Sequence, residues 1–193
     1  VMAGDPETGV TIMRVIRQLD AGPTFAAIVR RIGADETAED VERDLARLGA
    51  DLLVKVVDQI AEGRAQETPQ DETLVTYAPR ITKEEGLIDW RQPAAVIHNK
   101  VRGLHPWPHA FTVLGGNRYI ILRTSVDPAT APGVAPGTIL DASGDRLVVS
   151  TGEGVIRIRE IQAEGRRAMD TRQFLAGYRI QPGARFEPPA DAP

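Results

Sequence analysis

The sequence predicts an α/β chain in two parts, and three observations predict it. A capped amphipathic helix follows two β-rich runs within the first 63 residues. Short strands divided by glycine turns dominate from residue 109 onward. The charge also changes sign: residues 1–76 carry a balance of −7 and residues 77–193 one of +3. A basic second part suits a polyanionic partner, although a surplus of three also fits an ordinary solvated surface.

The elements follow in order. Residues 10–19 read as a strand rich in Val, Ile and Thr, and residues 24–32, "TFAAIVRRI", as a second. The turn Asp20-Ala21-Gly22-Pro23 joins them into a hairpin. Thr37-Ala38-Glu39-Asp40 is a capping box, with a hydroxyl N-cap and an acid three residues later. Val41, Leu45, Leu48, Leu52, Val56 and Ile60 then recur at steps of three and four, which places one core stripe on a helix. Gly63 ends it.

Residues 64–76, "RAQETPQDETLVT", lack a period and read as a linker or extended crossing. A second unit begins near Tyr77. Residues 93–103 form a helix with Pro at its start and Gly at its end. Strands follow at roughly 109–114, 118–125, 137–142, 145–150 and 154–163, a pattern for a small barrel or sandwich. A short helix spans 170–177 with Asp170 as its cap, and "FEPPADAP" is a loose tail.

The chain has 193 residues, 42% of them hydrophobic, enough for one large domain or two small ones. No apolar run is long enough to span a membrane, and the first residues lack a basic flank and apolar segment. Zero cysteines exclude disulfides and thiolate metal sites and fit a reducing cytoplasm. Val1 in place of Met implies a start within a longer chain or after processing.

Asp20 is the first candidate for chemistry. A carboxylate beside a Gly-Pro turn suits proton transfer or the orientation of a histidine. The same residue also suits a plain Asx turn, and the local sequence leaves both open. His98, His105 and His109 lack metal-ligand spacing, so no metal is expected. His98 reads as a surface or satisfied core residue, and Trp107 as a core anchor. There is no nucleophile elbow, phosphate loop or G-x-G-x-x-G.

Two longer stretches carry a resemblance. "ETGVTIMRVIRQLDAGP" (Glu7–Pro23) resembles the segment of folate-dependent formyltransferases that runs from a Thr-Gly-Val-Thr strand into an Asp-x-Gly turn. "YAPRITKEEGLIDWRQPAAVIHNKVRGLHPWPHAF" (Tyr77–Phe111) closely resembles the start of the C-terminal domain of bacterial methionyl-tRNA formyltransferases. The resemblance covers essentially the whole chain and the later part of the family's usual length. It implies the end of a Rossmann-like formyltransferase domain followed by a small OB-like β-barrel C-terminal domain. The implied boundaries are catalytic-domain end 1–66, linker 67–83, C-terminal domain 84–185 and tail 186–193.

The function so implied is transfer of a formyl group from 10-formyltetrahydrofolate to methionyl-initiator tRNA, for translation initiation in the cytoplasm. Asp20 would be one of three catalytic residues. The family's Asn-x-His supplies the other two, and no Asn-x-His occurs in these 193 residues, so the stretch would be inactive alone. Leu19, Asp20, Ala21 and Gly22 would bind folate, with the Gly22 backbone close to the pterin. Arg80, Lys83, Lys100, Arg102 and Arg118 would contact tRNA, with Arg123, Arg157, Arg159, Arg166 and Arg167 as further candidates. A monomer is expected, and poor stability of residues 1–76 by themselves. The alternatives are a sugar-nucleotide formyltransferase of the same superfamily and a non-catalytic RNA-binding remnant.

Overall fold

A computed structural model describes residues 1–187. The chain divides into two compact units, Asp5–Arg80 and Val1–Gly4 with Ile81–Pro193.

In the first unit, β1 (Glu7–Met13) pairs antiparallel with β2 (Thr24–Arg31), from Glu7 opposite Arg31 to Met13 opposite Thr24. The predicted strand to residue 19 stops six residues early. Val15, Ile16 and Leu19 look like strand residues but are solvent-exposed, so β-propensity there has no packing to realise it. Asp20 therefore sits inside a ten-residue loop, 14–23, and not in a four-residue turn.

Helix α1 (Ala38–Ala61) begins at the predicted capping box. The Thr37 hydroxyl accepts from the Asp40 N–H at 3.3 Å, and Asp40 Oδ2 accepts from the Thr37 N–H at 3.1 Å. The helix ends in a Schellman pair around Gly63 (φ +67°): Gly63 N donates to Ile60 O and Arg64 N to Gln59 O. Val41 and Val56 are buried, and Leu45, Leu48 and Leu52 partly so. A Cβ on Gly49 would lie 3.2 Å from Val10, so the glycine lets the helix sit close on β1. Ile60, read as the last member of the core stripe, is half exposed at the rim of a cavity that it lines with Phe25 and Arg14.

In the second unit, α2 (Ala94–Gly103) precedes β3 (Ala110–Leu114), β4 (Asn117–Asp127), β5 (Ile139–Ser143), β6 (Arg146–Ser150), β7 (Val155–Ala163), β8 (Met169–Asp170) and α3 (Thr171–Gly177). The antiparallel sheet runs β3-β4-β7-β6-β5, with β8 against β7. The path is open among the described residues, so the expected barrel does not close strand to strand. Irregular chain covers both edges instead. Ile88 N donates to Phe111 O along β3, and Ile139 N donates to Ala184 O along β5. Phe186 N then reaches Gly137 O, and Glu187 N reaches Val113 O.

The segment read as a tail thus starts with a core residue. Phe186 is 1% exposed and stacks on Trp90 at 5.1 Å. The rest of that tail, residues 188–193, lies outside the described residues. Trp90, 2% exposed, is the core anchor and donates Nε1–H to Thr112 Oγ1 at 2.9 Å. Trp107, expected in that role, is 52% exposed on a turn flanked by two prolines. His98 is buried, with Nδ1 3.0 Å from Thr124 Oγ1.

Candidate active-site loop and basic face

The loop 14–23 is closed across its base. Arg14 N donates to Pro23 O at 2.9 Å. Gly22 is required there: a Cβ would lie 1.8 Å from the Arg14 carbonyl oxygen. The absence of a side chain at Gly22 thus serves a close approach of the chain's own backbone. Asp20 takes a left-handed conformation, φ +51°, which aspartate tolerates better than most residues, and it is exposed. Leu19 is 88% exposed, Ala21 is half-buried and Gly22 buried.

A second segment of the same unit straps this loop. Thr24 and Thr68 exchange backbone hydrogen bonds of 2.8 and 2.9 Å. Arg14 and Glu67 form an ion pair. The Gln70 side-chain amide donates to Asp20 O at 2.8 Å and to Gly22 O at 2.7 Å. Sequence reasoning missed Gln70 because it lies 50 residues from its partner in an aperiodic polar stretch. A pocket of about 400 Å³ is lined by Arg14, Phe25, Ile60, Gly63, Ala65 and Glu67, without any of Leu19 to Gly22.

In the second unit, Lys83 is exposed and precedes a 3-10 turn, Glu84–Gly86. A Cβ on Gly86 would meet His109 O at 2.4 Å and Phe111 Cδ1 at 3.0 Å, so this turn lies on Phe111. The Arg118 guanidinium sits 3.9 Å above the same ring. Lys100 donates to Leu87 O at 2.7 Å, just past the turn, and burial lowers its pKa against the pull of Asp89 and Glu85. Lys83, Lys100 and Arg118 therefore share one neighbourhood.

Arg102 does not join them. It is 7% exposed and donates Nε–H to Asn99 Oδ1 at 2.9 Å. Arg123 faces Glu160, Arg157 bonds Asp145, and Arg159 bonds Ser125. Arg166 and Arg167 are exposed, as is Arg80 in the first unit. The His105 and His109 rings lie 5.3 Å apart, and burial, then His105, lower the His109 pKa. No three His, Cys, Asp or Glu gather to hold a metal ion among the described residues, and no helix there is long and apolar enough to cross a membrane.

The two units match two formyltransferase family descriptions in turn. The family described as "Formyl transferase, C-terminal domain" matches residues 80–179, and "Formyl transferase" matches residues 1–57. The chain belongs to the formyl transferase family. Its curated relatives include the methionyl-tRNA formyltransferases of Pelobacter propionicus (42% identical, over 95% of this chain and 56% of the relative) and Phenylobacterium zucineum (42%, over 96% and 60%). The chain thus spans little more than half the length of the relatives it matches.

Among solved structures, HypX from Aquifex aeolicus in complex with tetrahydrofolic acid aligns with a TM-score of 0.67 at 18% identity, over 90% of this chain and 31% of that one. The sugar 3N-formyl transferase WlaRD aligns at 0.65 and 16%, over 86% and 58%. Methionyl-tRNA formyltransferase from Clostridium thermocellum aligns at 0.53 and 19%, over 66% and 55%. At these identities the likeness is one of fold.

Proposed function

We propose that the chain is the later part of an enzyme that transfers a formyl group from 10-formyltetrahydrofolate to the amino group of methionyl-initiator tRNA. The observation that carries this reading is 42% identity to a methionyl-tRNA formyltransferase over 95% of the chain. In this reading residues 1–66 end the catalytic domain, 67–83 join the domains, and 84–185 form the tRNA-facing domain of a monomeric, cytoplasmic enzyme.

10-Formyltetrahydrofolate supplies the formyl group. Leu19 and Asp20 fit a role in holding it, since an exposed apolar side chain adjoins an exposed carboxylate. The attacking methionyl nitrogen must lose a proton. Asp20 serves that step by orienting and charging a histidine from the Asn-x-His segment, which the reading places before Val1. Lys83, Lys100, Arg118 and Arg80 meet tRNA phosphates. Arg102 is left out because its guanidinium is buried against Asn99.

The test is formyl transfer by the native gene product that contains residues 1–193, with methionyl-tRNA and an amino-sugar nucleotide as competing acceptors. Transfer to tRNA is expected, and Asp20→Asn should lower kcat by about 10²-fold or more, as loss of a group that holds the acid–base histidine does. Transfer to the sugar, or tRNA binding without transfer, overturns the reading.

A further inference from the structure

We propose that Gln70 is a positioning residue for Asp20, through a two-point clamp on the peptide carbonyls that flank Ala21. The inference rests on the catalytic role proposed for Asp20. It starts from a loop with little of its own to hold it. Every residue from Arg14 to Asp20 is exposed, and Asp20 is left-handed. Such a segment, left alone, samples many conformers, and a carboxylate on it would spend little time in one place.

The Gln70 amide has two N–H donors. Nε2 lies 2.8 Å from Asp20 O and 2.7 Å from Gly22 O, both closer than the third acceptor, Met13 Sδ at 3.9 Å. Both donors are thus committed to the backbone around Asp20. The clamp is itself anchored. Thr68, two residues before Gln70, is locked to Thr24 by reciprocal backbone bonds. Glu67 adds an ion pair to Arg14 at the loop's entry. The stretch after α1 therefore fixes the reactive loop, although its own sequence is polar and aperiodic. Glutamine suits the position because a glutamate of the same shape offers only acceptors and would set a negative charge against two carbonyls.

The experiment uses the native gene product with Gln70→Met, which keeps the length and removes the donors, and with Gln70→Glu as a second variant. Trypsin cleavage of the Arg17–Gln18 bond reports the loop without reference to activity. It should be roughly 30-fold faster in both variants, as expected when two hydrogen bonds near 1 kcal/mol each cease to hold a segment closed. In formyl transfer, kcat should fall roughly 10–100-fold with KM for tRNA unchanged. In an Asp20→Asn background the same substitution should cost nothing further, because Gln70 acts through Asp20. Wild-type cleavage at Arg17, or a loss of kcat that simply multiplies with that of Asp20→Asn, overturns the proposal. Absence of formyl transfer by the wild type defeats the functional reading instead, and the cleavage comparison then still decides whether Gln70 holds the loop.

Discussion

Gly22→Ala probes the base of the loop 14–23 directly. The new methyl group would lie 1.8 Å from the Arg14 carbonyl oxygen, whereas real Cβ contacts essentially never fall below 3.0 Å. The two strands of the loop must therefore separate by more than about 1 Å, the overpacking case in which the obstacle is backbone and cannot rotate away. The bonds at risk are Arg14 N to Pro23 O and Gln70 Nε2 to Gly22 O. At about 1 kcal/mol each they represent roughly 2 kcal/mol. Loss of glycine's freedom in the unfolded chain returns about 0.4–1 kcal/mol. The net loss should be about 1–2 kcal/mol, confined to the loop. Amide hydrogen exchange across residues 14–23 should rise by roughly tenfold, the equivalent of that energy. The activity of the native gene product should fall with it. If exchange stays at the wild-type rate, or the variant is stabilised, then Gly22 is not held against Arg14 and the description of the loop is wrong.

Three further outcomes are expected. Thr112→Val leaves the Trp90 indole N–H unpaired in the core and should cost about 1–3 kcal/mol by urea unfolding; a loss under about 0.5 kcal/mol would contradict the bond. Asp40 is held at about 2, below its ordinary 3.8, first by the Thr37 hydroxyl, then by the Thr37 N–H and Arg43. Its contribution is thus present above pH 3.8 and lost as pH falls toward 2, so the stability difference between wild type and Asp40→Asn should shrink across that window in acid titrations. Lys83→Ala and Arg118→Ala should each reduce the slope of log K against log salt for tRNA by about 1, whereas Arg102→Ala should lower stability and leave that slope alone.

What the sequence disclosed follows the range of the forces involved. Helix α1 was legible to the residue at its cap because a capping box and a periodic stripe are local. The first strand was overread because Val15, Ile16 and Leu19 have strand chemistry, and only the folded context leaves them in water. The core tryptophan was placed at Trp107 for a similar reason: burial depends on what lies opposite, and Phe186, which stacks on Trp90, lies 96 positions beyond it. Strand β8 is two residues long and has no pattern to read. At the site, Asp20 stood out only through a motif, since a turn former and a catalytic carboxylate look alike in isolation. Gln70 was invisible because a two-donor clamp needs carbonyls that arrive from 50 residues away.

The second unit draws on residues far apart in order of synthesis. A Cβ on Gly103 would meet Met2 at 2.3 Å, and one on Gly4 would meet Asn99 at 2.6 Å, so residues 1–4 rest on α2. Phe186 seals the core from the other end. At translation rates of about 5–20 residues per second, the first four residues wait several seconds for α2 to emerge, and the sheet waits longer for Phe186. During that interval the β5 edge is a bare row of N–H and C=O groups on a nascent chain. Until Ala184 and Phe186 follow, that edge can pair with the strands of neighbouring chains on the same polysome.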